Sequence, residues 1–231
     1  MKEFEDMHGD DVMGGYEPEN GQDKTLCVFL LDNSGSMYGE KIQGLNNGLQ
    51  QFQNDILRDE TISQRVEVAV ISFASIVEYL QKPALVENIT MPVLQAGGGT
   101  DMVGGLRKSI DVIAERKEYW KEHGVAYKRP WIVMITDGQA DISSIKDEIE
   151  QGSKDKHFFI MPVAVGDDAD LNVLNSIASS LDASQPSRAL KIGEKKFSEL
   201  FKWLSNSIGN IALAQPGTNV NIADPFVTFA V

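Results

Sequence analysis

The run Leu26-Cys-Val-Phe-Leu-Leu31 is apolar at every position and stops at Asp32, followed by Asn33, Ser34, Gly35 and Ser36. An unbroken apolar run of this length reads as a strand buried on both faces, and the Asn and Gly mark the turn that ends it. Trp131-Ile-Val-Met-Ile-Thr136 repeats the pattern and ends in Asp137 and Gly138. Strands are also expected over 65–73, 157–165 and, briefly, 189–192.

Helical patterns separate these runs. Ile42, Leu45, Leu49, Phe52 and Ile56 recur at three- and four-residue steps after Gly39-Glu40. A long helix is expected over 102–123, with Leu106, Ile110 and Ile113 inward and Gly124 as its stop. Asp141 is expected to cap a helix over 142–155, because its side chain can accept from free first-turn amides. Asp170 or Asn172 opens a short helix through Ser179, and 197–213 forms the last, with Leu200, Leu204, Ile208 and Ile211 on one face. Residues 75–80 read as an antiparallel edge strand, and 83–92 as irregular. The alternation predicts an α/β fold: a doubly wound, mostly parallel central sheet with one antiparallel edge strand and helices on both faces. Residues 1–23 hold eight acidic residues against one lysine and read as a flexible acidic arm. The folded domain is expected over 24–213 and a tail over 214–231.

The net charge of −13 repels phosphate backbones and anionic lipid, so neither nucleic acid nor a membrane surface is an expected partner. No segment reaches the ~18 apolar residues of a membrane span. Met1-Lys-Glu-Phe-Glu-Asp6 lacks the apolar run of a signal peptide. The one cysteine, Cys27, falls inside a buried strand and reads as a small core hydrophobe. His8, His123 and His157 stand alone, with no zinc spacing. Together these features lead to the expectation of a reducing, cytoplasmic setting.

In an open α/β sheet, ligands bind just past the carboxyl ends of the strands. Asp32, Ser34 and Ser36 lie at one such end and Asp137 at another. Thr100 lies between them in sequence, on the loop Gly97-Gly-Gly-Thr100 before a helix. Carboxylates with neutral hydroxyl oxygens suit a hard cation, above all Mg²⁺. This set, Asp-x-Ser-x-Ser, then Thr, then Thr-Asp-Gly, resembles the metal-ion-dependent adhesion site of von Willebrand factor type A domains over roughly 24–212. The resemblance implies that Asp32, Ser34, Ser36, Thr100 and Asp137 hold Mg²⁺, with Mn²⁺ or Ca²⁺ as other occupants. In that family the serines bind directly, Asp32 and Asp137 often act through waters, and one open position takes an Asp or Glu of a protein partner. Within the family, Met91-Pro-Val-Leu94 and Trp203-Leu-Ser-Asn-Ser207 are similar to the TerY-type proteins of bacterial tellurite-resistance and stress loci. That similarity implies a kinase or phosphatase encoded nearby as a partner.

An enzyme is the rival class. A phosphoryl-transfer aspartate of the dehalogenase kind needs an acid where Ser34 stands. A nucleophile elbow needs glycines where Asp32 and Ser36 stand, and Gly97–Gly105 lacks the lysine of a phosphate loop. A metal-assisted hydrolase lacks a general base beside the metal. The remaining alternative is a structural domain with an idle metal site. The sequence thus favours a protein-binding module over a catalyst.

Overall fold

The computed structural model describes residues 21–180 and 188–215. Most of the expected acidic arm and of the expected tail lies outside them. Asp23, the last residue of that arm, forms ion pairs with Arg65 and with Lys128, the latter at 2.7 Å.

Four strands, all predominantly apolar, are buried along their whole length: β1 (Thr25–Asp32), β2 (Val66–Phe73), β4 (Trp131–Thr136) and β5 (Phe159–Val165). The edges are β3 (Val77–Leu85) and the three-residue β6 (Leu190–Ile192). The order is β3-β2-β1-β4-β5-β6, parallel except for the antiparallel β2–β3 pair. The predicted doubly wound α/β sheet is therefore the observed one.

Side chains of a strand alternate between faces, and β1 shows what that alternation builds. Cys27, Phe29 and Leu31 enter one core with α1 (Glu40–Ile56) and α6 (Phe197–Leu213). Leu26, Val28 and Leu30 enter the other with α3 (Met102–Glu122), α4 (Lys146–Lys154) and α5 (Leu171–Ile177). The helices α1 and α6 approach closely because Gly44 and Gly48 leave room for the rings of Phe197 and Phe201.

Three local expectations need correction. The helix assigned to 142–155 begins only at Lys146. The Asp141 side chain does accept from an amide, Ser143 N–H at 2.9 Å, but it opens a turn over 142–145 that leads into the helix and not the helix itself. The edge strand runs on to Leu85 through Pro83, which stood in the irregular stretch. Gln81 pairs with Val70 and Ala84 with Val68, so Lys82 and Pro83 together face one residue, Ala69. A bulge on an edge strand tolerates the missing N–H of proline. A four-residue helix, α2 (Glu60–Ser63), was not expected. Asp59 caps it by accepting from Thr61 and Ile62 N–H, and four residues are too few to show a period.

Residues 89–96 form no strand or helix, and amides along α1 hold the stretch in place. Asn46 exchanges two hydrogen bonds with the backbone of Leu94, at 2.8 and 2.9 Å. Gln50 donates to Met91 O, and Gln53 to Val86 O and Ile89 O. Backbone groups that no ladder satisfies are thereby paired, and the chain is delivered to the glycine loop at the carboxyl end of the sheet.

Candidate metal centre

From β1 the sheet grows one way to β2 and β3; from β4 it grows the other way to β5 and β6. The loops leaving β1 and β4 therefore diverge, opening a crevice past their carboxyl ends. Asp32 is the last residue of β1, and Asp137 directly follows β4. Both are buried.

Asp32 is held at both oxygens. Oδ1 accepts from Ser34 N–H at 2.8 Å, and Oδ2 accepts from the Thr136 hydroxyl at 2.5 Å. Thr136 Oγ1 in turn accepts from Gly138 N–H at 2.9 Å. Burial pushes the Asp32 carboxyl above the ordinary aspartate range. The Ser34 and Thr136 hydrogen bonds oppose that shift, and the neighbouring Asp137 charge adds to it. The positioning role of Thr136 was missed in the sequence; a lone hydroxyl closing an otherwise apolar strand was its signal.

After Asp32 a single turn of 3₁₀ helix, Gly35–Met37, folds Ser36 back over the crevice. Ser34 Oγ and Ser36 Oγ lie 3.1 Å apart, and Ser36 Oγ donates to Asp137 Oδ1 at 2.6 Å. The glycine loop is laced to this segment. Gly97 N–H donates to Asn33 O at 2.8 Å, Gly35 N–H to Gly98 O at 3.1 Å, and Asn33 Nδ2 to Gln95 O at 3.1 Å. Gly98 sits at φ +79°, and a Cβ there would meet Ser75 Oγ at 2.7 Å. Only glycine adopts that backbone freely.

Thr100 lies close to Asp32 and Gly138. A Cβ on Gly138 would lie 3.2 Å from Asp32 Oδ2 and 3.4 Å from Thr100 Cγ2, so one point touches both side chains. Asp101 accepts from Gly104 N–H at 2.9 Å and caps α3. Asp32, Ser34, Ser36 and Asp137 meet at one crevice, and the Thr100 methyl lies near Asp32 and Gly138.

One charged partner was not anticipated. Lys41, in the first turn of α1, places Nζ 2.7 Å from Asp137 Oδ2 and 3.5 Å from Glu194 Oε1. Burial alone would lower the Lys41 pKa. The hydrogen bond and charge of Asp137, helped by Glu194, reverse this and hold the ammonium above its ordinary value. Helical phase was the available signal, since Lys41 lies four residues before Leu45 on the buried face of α1.

The donor set fits a hard divalent cation. Octahedral ligands at ~2.1 Å from Mg²⁺ stand ~3 Å from each other, and the Ser34–Ser36 and Ser36–Asp137 oxygen pairs are spaced at 3.1 and 2.6 Å. Among the described residues, no three His, Cys, Asp or Glu side chains gather as a metal-binding group. The crevice is a site of two carboxylates and hydroxyls. Among the described residues, no helix is long and apolar enough to cross a membrane.

A family model described as the von Willebrand factor type A domain matches residues 27–191. No curated protein matches the sequence. The solved structures that share the fold include the following three. The von Willebrand domain of the type V pili tip protein Mfa5 from Porphyromonas gingivalis is 12% identical with a TM-score of 0.58, covering 85% of this chain and 98% of that one. The conserved hypothetical protein BatB from Bacteroides thetaiotaomicron is 14% identical with a TM-score of 0.55, covering 82% and 100%. Proximal thread matrix protein 1 from the mussel byssus, described with a zinc-occupied metal-ion-dependent adhesion site motif, is 19% identical with a TM-score of 0.54. That match covers 83% of this chain but only 46% of the mussel chain. At these identities the likeness concerns the fold alone.

Proposed function

Because the chain belongs to the von Willebrand factor type A family, whose model matches residues 27–191, we propose that it is a divalent-metal-dependent protein-binding module. Members of this family serve as protein-interaction and adhesion modules. In this reading Asp32, Ser34, Ser36, Thr100 and Asp137 hold Mg²⁺, with Mn²⁺ or Ca²⁺ as other occupants. An Asp or Glu of a partner protein completes the coordination through a charge-assisted contact.

The observation that carries the reading is the string of oxygens Ser34 Oγ, Ser36 Oγ and Asp137 Oδ1, spaced like the edges of a metal's coordination shell beside the buried Asp32. The zinc described in the mussel protein's adhesion-site motif supports it by analogy. The runs at Met91 and Trp203 extend the reading to a cytoplasmic bacterial stress-response or tellurite-resistance system, with a nearby-encoded kinase or phosphatase as partner. The module recruits and does not catalyse. In this reading both crevice carboxylates serve the metal, which leaves no separate base among the described residues of the crevice to activate a nucleophile.

Calorimetry tests the metal site: the protein binds one Mg²⁺, and Asp32→Asn loses it. Affinity capture from a bacterial lysate in Mg²⁺, released by EDTA, tests recruitment. An unchanged Mg²⁺ affinity in Asp32→Asn would refute the ligand assignment. Turnover of a phosphoester, peptide or nucleotide that vanishes in the same variant would refute the non-catalytic reading.

A further inference from the structure

We propose that Lys41 is a built-in counter-cation of Asp137 that makes the metal site dependent on an anionic ligand. This inference rests on the metal-site reading above. Asp137 presents two oxygens in different directions: Oδ1 receives Ser36 Oγ, while Oδ2 receives the Lys41 ammonium at 2.7 Å. The Asp137 side chain has no exposure and that of Lys41 only 11%, so water screens this pair little. Glu194, the other carboxylate near Lys41, is farther away at 3.5 Å and half-exposed, and solvent damps its charge.

The charge balance decides what the site accepts. Two buried carboxylates without Lys41 would neutralise a divalent cation outright. With the ammonium in place they leave one negative charge, and the arriving cation turns the cluster net positive. A buried excess charge is unfavourable until an opposite charge joins it. A ligand carboxylate is such a charge, and a neutral amide or hydroxyl is not. Lys41 therefore weakens the bare cation and strengthens its complex with an acid, so cation and acid bind with positive coupling. By reciprocity, each tightens the other by the same factor. Lys41 acts here as a specificity residue through Asp137, without touching the ligand.

The test is calorimetric titration with Mn²⁺, alone and in saturating acetate as the carboxylate probe. In the wild type, acetate tightens Mn²⁺. In Lys41→Gln, Mn²⁺ alone binds at least about tenfold more tightly, the effect that one unit charge has on a divalent ion ~5 Å away even at the dielectric of bulk water, and the acetate effect shrinks towards none. Lys41→Arg keeps the charge and behaves like the wild type. Glu194→Gln, half-exposed and safe for folding, leaves the ammonium less compensated and weakens Mn²⁺ binding. A Lys41→Gln protein that binds Mn²⁺ no better, or more weakly, would mean that Lys41 only orients Asp137, and would overturn the proposal. An acetate effect in that variant as large as in the wild type would overturn it too. Loss confined to this inference is distinguishable, because a wild type that binds no Mn²⁺ at all defeats the underlying metal site first.

Discussion

Arg116 grips Glu67 with two nitrogens, Nε at 2.7 Å and Nη2 at 2.8 Å, and both side chains are sealed from solvent between α3 and β2. Trp120 Nε1 adds a longer contact to the same carboxylate at 3.4 Å. Removing the guanidinium alone strands a carboxylate in an apolar core. Arg116→Met is expected to cost about 3–5 kcal/mol in chemical denaturation, and the double variant Glu67→Leu/Arg116→Met far less. Metal affinity should not change in the double variant, because Glu67 lies at the amino end of β2 and the crevice at the carboxyl end.

Asp32→Asn separates site from fold. It keeps an acceptor for Ser34 N–H and removes a charge that burial disfavours. In EDTA its melting temperature is expected to equal or exceed that of the wild type. Mg²⁺ at a hundredfold excess over Kd stabilises the wild type by about 2.7 kcal/mol and the variant hardly at all. Differential scanning calorimetry with and without Mg²⁺ reads both effects.

Gly48→Ala probes the seam between α1 and α6. The added methyl runs into the ring of Phe201, which is buried and closely surrounded. Overpacking of this kind is expected to cost about 1–3 kcal/mol in spite of alanine's better helix propensity. Urea denaturation of the variant measures it.

Cys27 lies wholly inside the sheet, and burial pushes its thiol pKa well up from the ordinary value of 9.0. An acid whose folded pKa is raised contributes stability that is present below its unfolded pKa and lost as pH rises above it. Stability is therefore expected to fall with a Cys27 contribution above about pH 9. Alkylation by iodoacetamide at neutral pH should be at least about a thousandfold slower than in denaturant, since access needs unfolding. Mass spectrometry over a time course follows it.

Much of this architecture was legible because burial on both faces leaves a plain mark: β1, β2 and β4 are runs with almost no polar residue. The stripe from Ile42 to Ile56 placed α1 for the same kind of reason. What escaped was set by contacts distant in sequence. Asp141 has the chemistry of a helix cap, but only the fold decides whether its acceptor serves a helix or a turn. Pro83 argues against a strand unless one knows that the strand is an edge with a bulge. In the crevice, the five residues proposed as ligands stood out by type and spacing. Lys41 and Thr136 did not, because their roles depend on Asp137 and Asp32 lying across the β1–β4 junction from them.

The bulge in β3 bears on how copies of this chain meet one another. A sheet edge is a row of free donors and acceptors, and a regular one recruits a strand from any neighbour with matching register. Here the β3 edge loses register where Lys82 and Pro83 crowd opposite Ala69, and again beside the unpaired Leu80. The opposite edge, β6, offers three residues. Neither border presents an even ladder for a second chain to lengthen. Strand-to-strand stacking between molecules is discouraged at both ends, and the crevice at the top of β1 and β4 stays apart from that hazard.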